Sequence, residues 1–574
     1  MAGSGLLHAQ LINQGTETVV NTTTIYRQEH AAVAMDTAGN YVVVWATNHT
    51  TNSNDGIYAQ RYLSDGTPNG PEIQVTTNKG LYPDVAMAPG GQFIIVWQQY
   101  SNANGWDVYG NFFNASGSPG GAFPLASDLS GNQRFPRVGM DSLRNFVAVW
   151  DDDLDIYAQR FNPSQTMVGS TIQIDTSTNG FQSYPDIHVF PDGTINVVWE
   201  SYGQDGSLSG IRLRRLDASG GFLSNEVPVN NYTTGNQVSP RISGDTTGNF
   251  IIVWVSDEQD GDEEGIYAQR FNKTGAKAGS EFLVNTTTTG AQDSPDVSMH
   301  NNSTFLVSWN SYRQDGEFFG VYFQYFDASG QRIFDETRAN TTTAGFQQFS
   351  AIGMRTQYNI VIAWQDGGRQ STTSLDGDDY AIVLQNMTIG CTFTCPDPIS
   401  AYLDASCSFV MPDYTGLVMT DPSCSDPVTI TQDPAAGVTI YGDTLITFTV
   451  TDALAIPATC STMLTLTDTI SPVLVCPPNI SVFLDVNCLS QVPDLTNSGT
   501  ASDNCTMLMN LVWSQDVPVG TYFTTDTLVQ VSIMDESGNS AGCSISILSI
   551  DTTSPIAVCQ DITVFLDGSG NAGI

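Results

Sequence analysis

Four acidic side chains crowd one short turn of this 574-residue chain, Asp260, Asp262, Glu263 and Glu264 in the stretch QDGDEEG. Calcium takes about 6–8 oxygen ligands and suits such clusters, so these four are the candidate metal ligands. Two sibling stretches, QDGSLSG at 204–210 and QDGEFFG at 314–320, lack the extra acids. Asp-Gly in all three is therefore first a turn signal; no cofactor is required, and calcium is the one cofactor the composition suggests. A second acidic stretch, 365–380, carries Asp366, Asp376, Asp378 and Asp379. Glycoside hydrolysis needs two carboxyls roughly 5–9.5 Å apart, and these four are the first to test for it. The five histidines, His8, His30, His49, His188 and His300, show no HExxH spacing, and GxSxG elbows and P-loops are absent. The sequence assigns no catalytic residue.

Cysteine is the other reactive type, and all ten lie between 391 and 559. Cys395, Cys407, Cys424 and Cys460 recur as Cys476, Cys488, Cys505 and Cys543, at offsets of 81, 81, 81 and 83. Regular sets of four without CxxC spacing, and without histidine beyond His300, favour disulfides over zinc. Each set allows three pairings, and the expectation is that each pairs within itself. Cys391 is left over.

The elements that position these groups are repeats. Apolar runs end in tryptophan at Trp45, Trp97, Trp150, Trp199, Trp254, Trp309 and Trp364, at spacings of 52, 53, 49, 55, 55 and 55. After them come GIYAQRY (56–62), DIYAQRF (155–161), GIYAQRF (265–271) and worn copies of the same phrase. Each unit holds four short runs rich in Val, Ile, Phe and Tyr between Gly, Asn and Asp clusters, and none sustains a helical period. Four strands per ~40–50 residues is the signature of a β-propeller blade. First strands such as PDVAM, PRVGM and PDVSM are rich in small residues, as a crowded axis requires. The seventh unit lacks a fourth strand, and TETVVNT (16–22) matches that strand's pattern. The N-terminus is thus expected to close a seven-bladed ring and hide both edges. Arg61, Arg160 and Arg270 read as strand residues whose heads bond between blades.

The C-terminal third follows a different pattern. TCPDPISAYLDASC (394–407) aligns with VCPPNISVFLDVNC (475–488), and DTISPVLVC (468–476) with DTTSPIAVC (551–559). With SDNC (502–505) and MDESGNSAGC (534–543), these motifs resemble hyalin-repeat (HYR) domains, immunoglobulin-like sandwiches of extracellular adhesive proteins. Propellers joined to such domains look like large secreted surface proteins of gliding-type bacteria. The repeats and this resemblance together give the expected fold, an all-β chain with a seven-bladed β-propeller followed by tandem disulfide-bonded immunoglobulin-like β-sandwich domains. The divisions are 11–389 for the propeller, 390–469 and 470–552 for two HYR-like sandwiches, and 553–574 for the start of a third. Residues 1–10 read either as a signal-peptide remnant or as the start of a truncated piece.

Charge narrows the partners. The net charge is −40, and after Arg369 there are 22 Asp and Glu and no Lys or Arg. Nucleic acid and anionic membrane surfaces need a positive footprint, so neither is expected, and no run is long enough for direct membrane insertion. The partner expected is an extracellular glycan or protein, met by the long polar loops of one propeller face. A secreted or cell-surface adhesion protein without turnover is the expected function. A propeller-type glycan hydrolase or lyase is the alternative, and a purely structural spacer the third reading.

Overall fold

The computed structural model describes residues 7–8, 11–22, 27–48, 56–102, 104–177, 180–356, 359–367, 380–389, 393–420, 427–451, 457–496 and 498–573. The chain is all-β, built from many small sheets. A typical unit orders its strands as Gly80–Met87, Phe93–Ser101, Gly105–Phe113 and Pro119–Pro124, each hydrogen-bonded antiparallel to the next. First strands touch in chain order, and Phe346–Thr356 returns to Arg27–Met35, so the strands form a closed ring.

Second strands are apolar on both faces because each is covered by a neighbouring sheet. Phe250–Asp257 (FIIVWVSD) is buried from Phe250 to Ser256. Its Trp254 stands opposite Tyr267 of the third strand and the rings stack at 6.5 Å; Trp45–Tyr58, Trp97–Tyr109 and Trp150–Tyr157 repeat the pair. This explains the recurring tyrosine. The recurring arginine reaches the next unit, as expected. Arg61 Nη1 donates to Ala115 O at 3.0 Å, Arg270 Nη1 to Ala328 O at 2.7 Å, and Arg160 Nη1 to Ser219 O. Gly330 sits against this arginine at φ 84°, where a Cβ would lie 2.9 Å from Arg270 Nε. Near the axis, a Cβ on Gly353 would stand 2.7 Å from Val33, so small residues are needed there.

The N-terminal strand Leu11–Val19 pairs antiparallel with Tyr380–Ile389, from Leu11 opposite Ile389 to Val19 opposite Val383. It supplies the strand that the last unit lacks. Leu7–His8, in the segment read as a leader remnant or truncation, pairs with Phe393–Thr394.

Two C-terminal modules share one topology. In the first, Ile399–Tyr402 runs parallel to Pro457–Thr467, followed by Thr444–Thr451 and Thr429–Asp433. The second repeats it with Ile480–Phe483, Ser540–Ile550, Thr527–Met534 and Val512–Gln515. Their cores are separate, around Ile446, Phe448 and Leu464 in one and Val529, Val531 and Ile545 in the other. Residues 551–573 carry no strand.

The cysteine expectation is corrected in part. Cys395–Cys460 and Cys476–Cys543 close within their modules, but Cys407 bonds to Cys505 of the next module, with Cα atoms 5.0 Å apart. Cys488, expected to pair inside its own set, is an exposed thiol, because its intramodule candidate Cys505 is taken by the preceding module. Cys559 is also free and exposed, and Cys391 and Cys424 lie outside the described residues.

Candidate functional site: the collared axial cavity

Every first strand is broken by a bulge at the same place. The residues there are His30, Tyr82, Phe135, Tyr184, Ser239, Ser294 and Phe349, all with φ between 49° and 59°. Each lies inside a register shift, such as Leu81/Asp84 or Asp293/Asp296. A bulge bends the strand and re-aims its side chains, and non-glycine residues hold positive φ only where the surroundings fix it. At Phe135, Tyr184, Ser239 and Phe349 the fixing group comes from the preceding unit, one residue past its tryptophan. Gln98 Oε1 accepts from Phe135 N at 2.9 Å, Asn310 Oδ1 from Phe349 N at 3.0 Å, and Glu200 Oε1 from Ser239 N at 2.6 Å.

The bulge residues line a cavity of about 580 Å³, enclosed by the first strands of the ring. This size is typical of small-ligand sites. Five rings form a continuous arc: Phe349 lies 5.6 Å from His30, His30 4.2 Å from Tyr82, Tyr82 4.8 Å from Phe135, and Phe135 4.3 Å from Tyr184. The fifth and sixth units place Ser239 and Ser294 there instead. The collar therefore has a gap over two adjacent units.

Two residues beyond the bulge, charges alternate around the wall: Asp84, Arg137, Asp186, Arg241 and Asp296, with Ala32 and Ala351 completing the circle. Each aspartate commits one oxygen to the next strand. Asp84, Asp186 and Asp296 accept the amides of Val138, Ile242 and Ile352 at 2.8, 2.8 and 2.7 Å. Arg137 faces Asp84 at 3.6 Å and Arg241 faces Asp296 at 4.0 Å.

Below the collar gap, carboxyls hold their protons unusually well. Burial pushes Asp296 up to about 6 and raises Asp186, against the opposing charge of Arg241 in both cases. Glu200, beside Ser239, is pushed up to about 7 by burial, again opposed by the Ser239 amide and Arg241. Desolvation disfavours the charged form, and the guanidinium of Arg241, joined at Asp186 by that of Arg137, does not offset it. Arg241 keeps 26% side-chain exposure although it lies deep in the protein, because it faces the cavity. Burial lowers His30 to about 4, so the collar imidazole is neutral at physiological pH. Perturbed carboxyls converging on a cavity are what acid–base chemistry uses.

The acids proposed from sequence lie elsewhere. Asp260, Asp262, Glu263 and Glu264 occupy a turn in which Asp260 Oδ1 accepts the Asp262 amide at 3.4 Å and Asp262 Oδ2 the Gly290 amide at 3.0 Å. Asp205 and Asp315 repeat the first contact in sibling turns. Among the described residues, these four do not converge as a metal-ligand group; Asp468, Asp503 and Asp535 do. Asp366 is buried and accepts from Gln347 Nε2 at 3.0 Å, while Asp376, Asp378 and Asp379 lie outside the described residues. Sequence reasoning missed the Asp/Arg alternation, although the words PDVAM, PRVGM, PDIHV, PRISG and PDVSM spell it.

No family model and no curated protein matches the chain. Among solved structures, the chain is similar to the Dos1 propeller (10% identity, TM-score 0.38, 66% of this chain and 95% of that one). It is also similar to an alpha-L-arabinanase of Penicillium chrysogenum complexed with arabinobiose (11%, TM-score 0.37, 66% and 98%). A third is the GH93 alpha-L-arabinofuranosidase of Fusarium graminearum with arabinobiose (12%, TM-score 0.38, 65% and 97%). These likenesses concern the propeller fold. The expectation of a protein without turnover is corrected here, since enzymes stand among the similar structures and the cavity wall holds the carboxyls that expectation lacked.

Proposed function

We propose that the chain is a secreted, glycan-directed enzyme, a hydrolase or lyase, whose site is the gap in the collar of a seven-bladed propeller. The disulfide-bonded, immunoglobulin-like modules serve as its stalk. Three disulfides and the lack, among the described residues, of any helix able to cross a membrane support an extracellular place for it. One observation carries the reading: the ring of repeats breaks its own pattern at Ser239 and Ser294, next to Asp186, Arg241 and Asp296. Catalysis requires such a break, because one sector must offer what its siblings do not.

In this reading the exposed rings of Tyr184 and Phe349 stack on sugar faces, and Ser239 and Ser294 leave room for a residue to descend. Asp296, ionised above about pH 6, is the base or nucleophile, and Asp186 the proton donor. Arg241 between them binds substrate oxygens and stabilises developing negative charge. Incubation with a panel of plant and microbial polysaccharides tests it. New reducing ends, or new unsaturated ends for a lyase, are expected with the native chain, with a loss of about 10²–10⁴-fold in Asp296→Asn. Binding without product across the panel, or full activity in Asp296→Asn and Asp186→Asn, would overturn it.

A further inference from the structure

Where the two C-terminal modules meet, three separate motifs converge on one point. Asp468 comes from the connecting segment DTISP, Asp503 and Asn504 from SDNC, and Asp535 from the turn MDESGN. One carboxylate oxygen from each aspartate lies within 4.8 Å of the others. Asp468 and Asp535 are each 3% exposed.

The hydrogen bonds around this point divide the side chains of Asp468, Asp503 and Asn504 into an anchored and a vacant half, and hold Asp535 by both oxygens. Asp468 Oδ1 accepts from Ile470 N at 3.0 Å and Asn504 Nδ2 at 3.3 Å, while its Oδ2 is buried without a donor. Asp503 Oδ2 accepts the amides of Cys505 and Thr506 at 2.9 and 2.7 Å, and its Oδ1 is likewise without a donor. Asn504 spends its amino group on Asp468 and on the Asp404 carbonyl of the first module at 3.3 Å, leaving Oδ1 buried and unpaired. Asp535 is steadied by the amide and side chain of Asn539 at 2.7 and 2.9 Å. Three buried oxygens thus lack donors, in a region with no Lys or Arg after Arg369 and no His after His300. No side chain of these modules can neutralise three carboxylates held this close.

We propose that this cluster is a calcium site. The donors are all hard oxygens, the adjacent Cys505 sulfur is tied up in the Cys407–Cys505 bond, and three carboxylates plus an amide oxygen form most of a calcium shell, which water completes. Magnesium retains its own waters and uses one or two carboxylates, so it fits this dense set less well. The site joins the linker, the second module and, through Asn504, the first, so the ion fixes the angle between modules.

Calcium titration of the chelator-stripped full chain, followed by calorimetry and limited proteolysis of the 468–475 segment, tests the site. Added calcium chloride should raise the melting of the C-terminal modules and slow cleavage of that segment at least tenfold. Asp468→Asn and Asp503→Asn should remove both effects, while Asp260→Asn retains them. Mapping Cys407–Cys505 and Cys476–Cys543 by mass spectrometry in each variant shows that the modules still fold. A response lost in Asp260→Asn but kept in Asp468→Asn, an equal response to magnesium, or no response in the native chain would each overturn the assignment.

Discussion

The carboxylate of Glu17 accepts the hydroxyl of Thr342 at 2.7 Å, across 325 residues of chain, and also takes the backbone amides of Thr341 and Thr342. The same contact joins neighbouring units around the ring. Glu72 holds Thr22, Glu226 holds Thr176, Glu281 holds Asn231 and Tyr232, and Glu336 holds Thr286. In those cases donor and acceptor lie about 50 residues apart. At Glu17 the chain's start serves as the missing fourth strand of its last unit.

Glu17→Ala should therefore destabilise the propeller by about 1–3 kcal/mol, the worth of hydrogen bonds to a charged acceptor at a part-exposed position. Calorimetry should show the propeller transition falling while the C-terminal one stays. Removing residues 11–22 should cost more, since it strips the last unit of a whole strand.

The closure strand, tryptophan rows and interblade arginines were legible because each repeats a residue type at a fixed position. The collar was not, because His, Tyr, Phe and Ser share a backbone conformation there and no side-chain signature. Its one textual trace is the proline that follows Tyr82, Phe135, Tyr184, Ser239 and Ser294. The Cys407–Cys505 link was equally hidden, since equal offsets look the same whether a cysteine pairs within its module or with the next.

The stability contributed by Glu200 should fall as pH rises from about 4.5 to 7. Glu200 binds its proton more tightly when folded, with a value of about 7 against an ordinary 4.5. The folded state thus carries more protons than the unfolded one in that window, and the slope is negative. Glu200→Gln should flatten this limb by up to about 3 kcal/mol. Urea unfolding at pH 5 and 7.5 reads the difference; an unchanged limb in the variant would refute the assignment.

Turnover should have its own pH signature. If Asp296 acts ionised, the rate rises as pH increases through about 6. Arg241→Ala removes the charge that opposes burial, so the limb should move to higher pH. A limb that stays in place would separate Arg241 from the acid–base pair.

Gly330→Ala should destabilise the propeller by about 1–2 kcal/mol through its left-handed backbone and the Arg270 contact. Combining it with Arg270→Ala should recover the steric part and leave the backbone part. A double-mutant cycle should then give a coupling of about 0.5 kcal/mol or more.

Thiol labelling without reductant should modify Cys488 and Cys559 and spare Cys395, Cys407, Cys460, Cys476, Cys505 and Cys543. Peptide mapping should recover a fragment joining Cys407 to Cys505. Intramodule pairing of either residue would contradict the structure.

That last bond changes how the C-terminal modules carry tension. Beads on a string transmit pull through their connectors, and the connector is the first part to stretch. Here the covalent path crosses from Cys407 to Cys505 and bypasses the segment around Asp468. A pull along the axis runs through sulfur and through the folded modules, so the connector stays slack and its acidic cluster keeps its shape. The two modules behave as interlocked links of a chain.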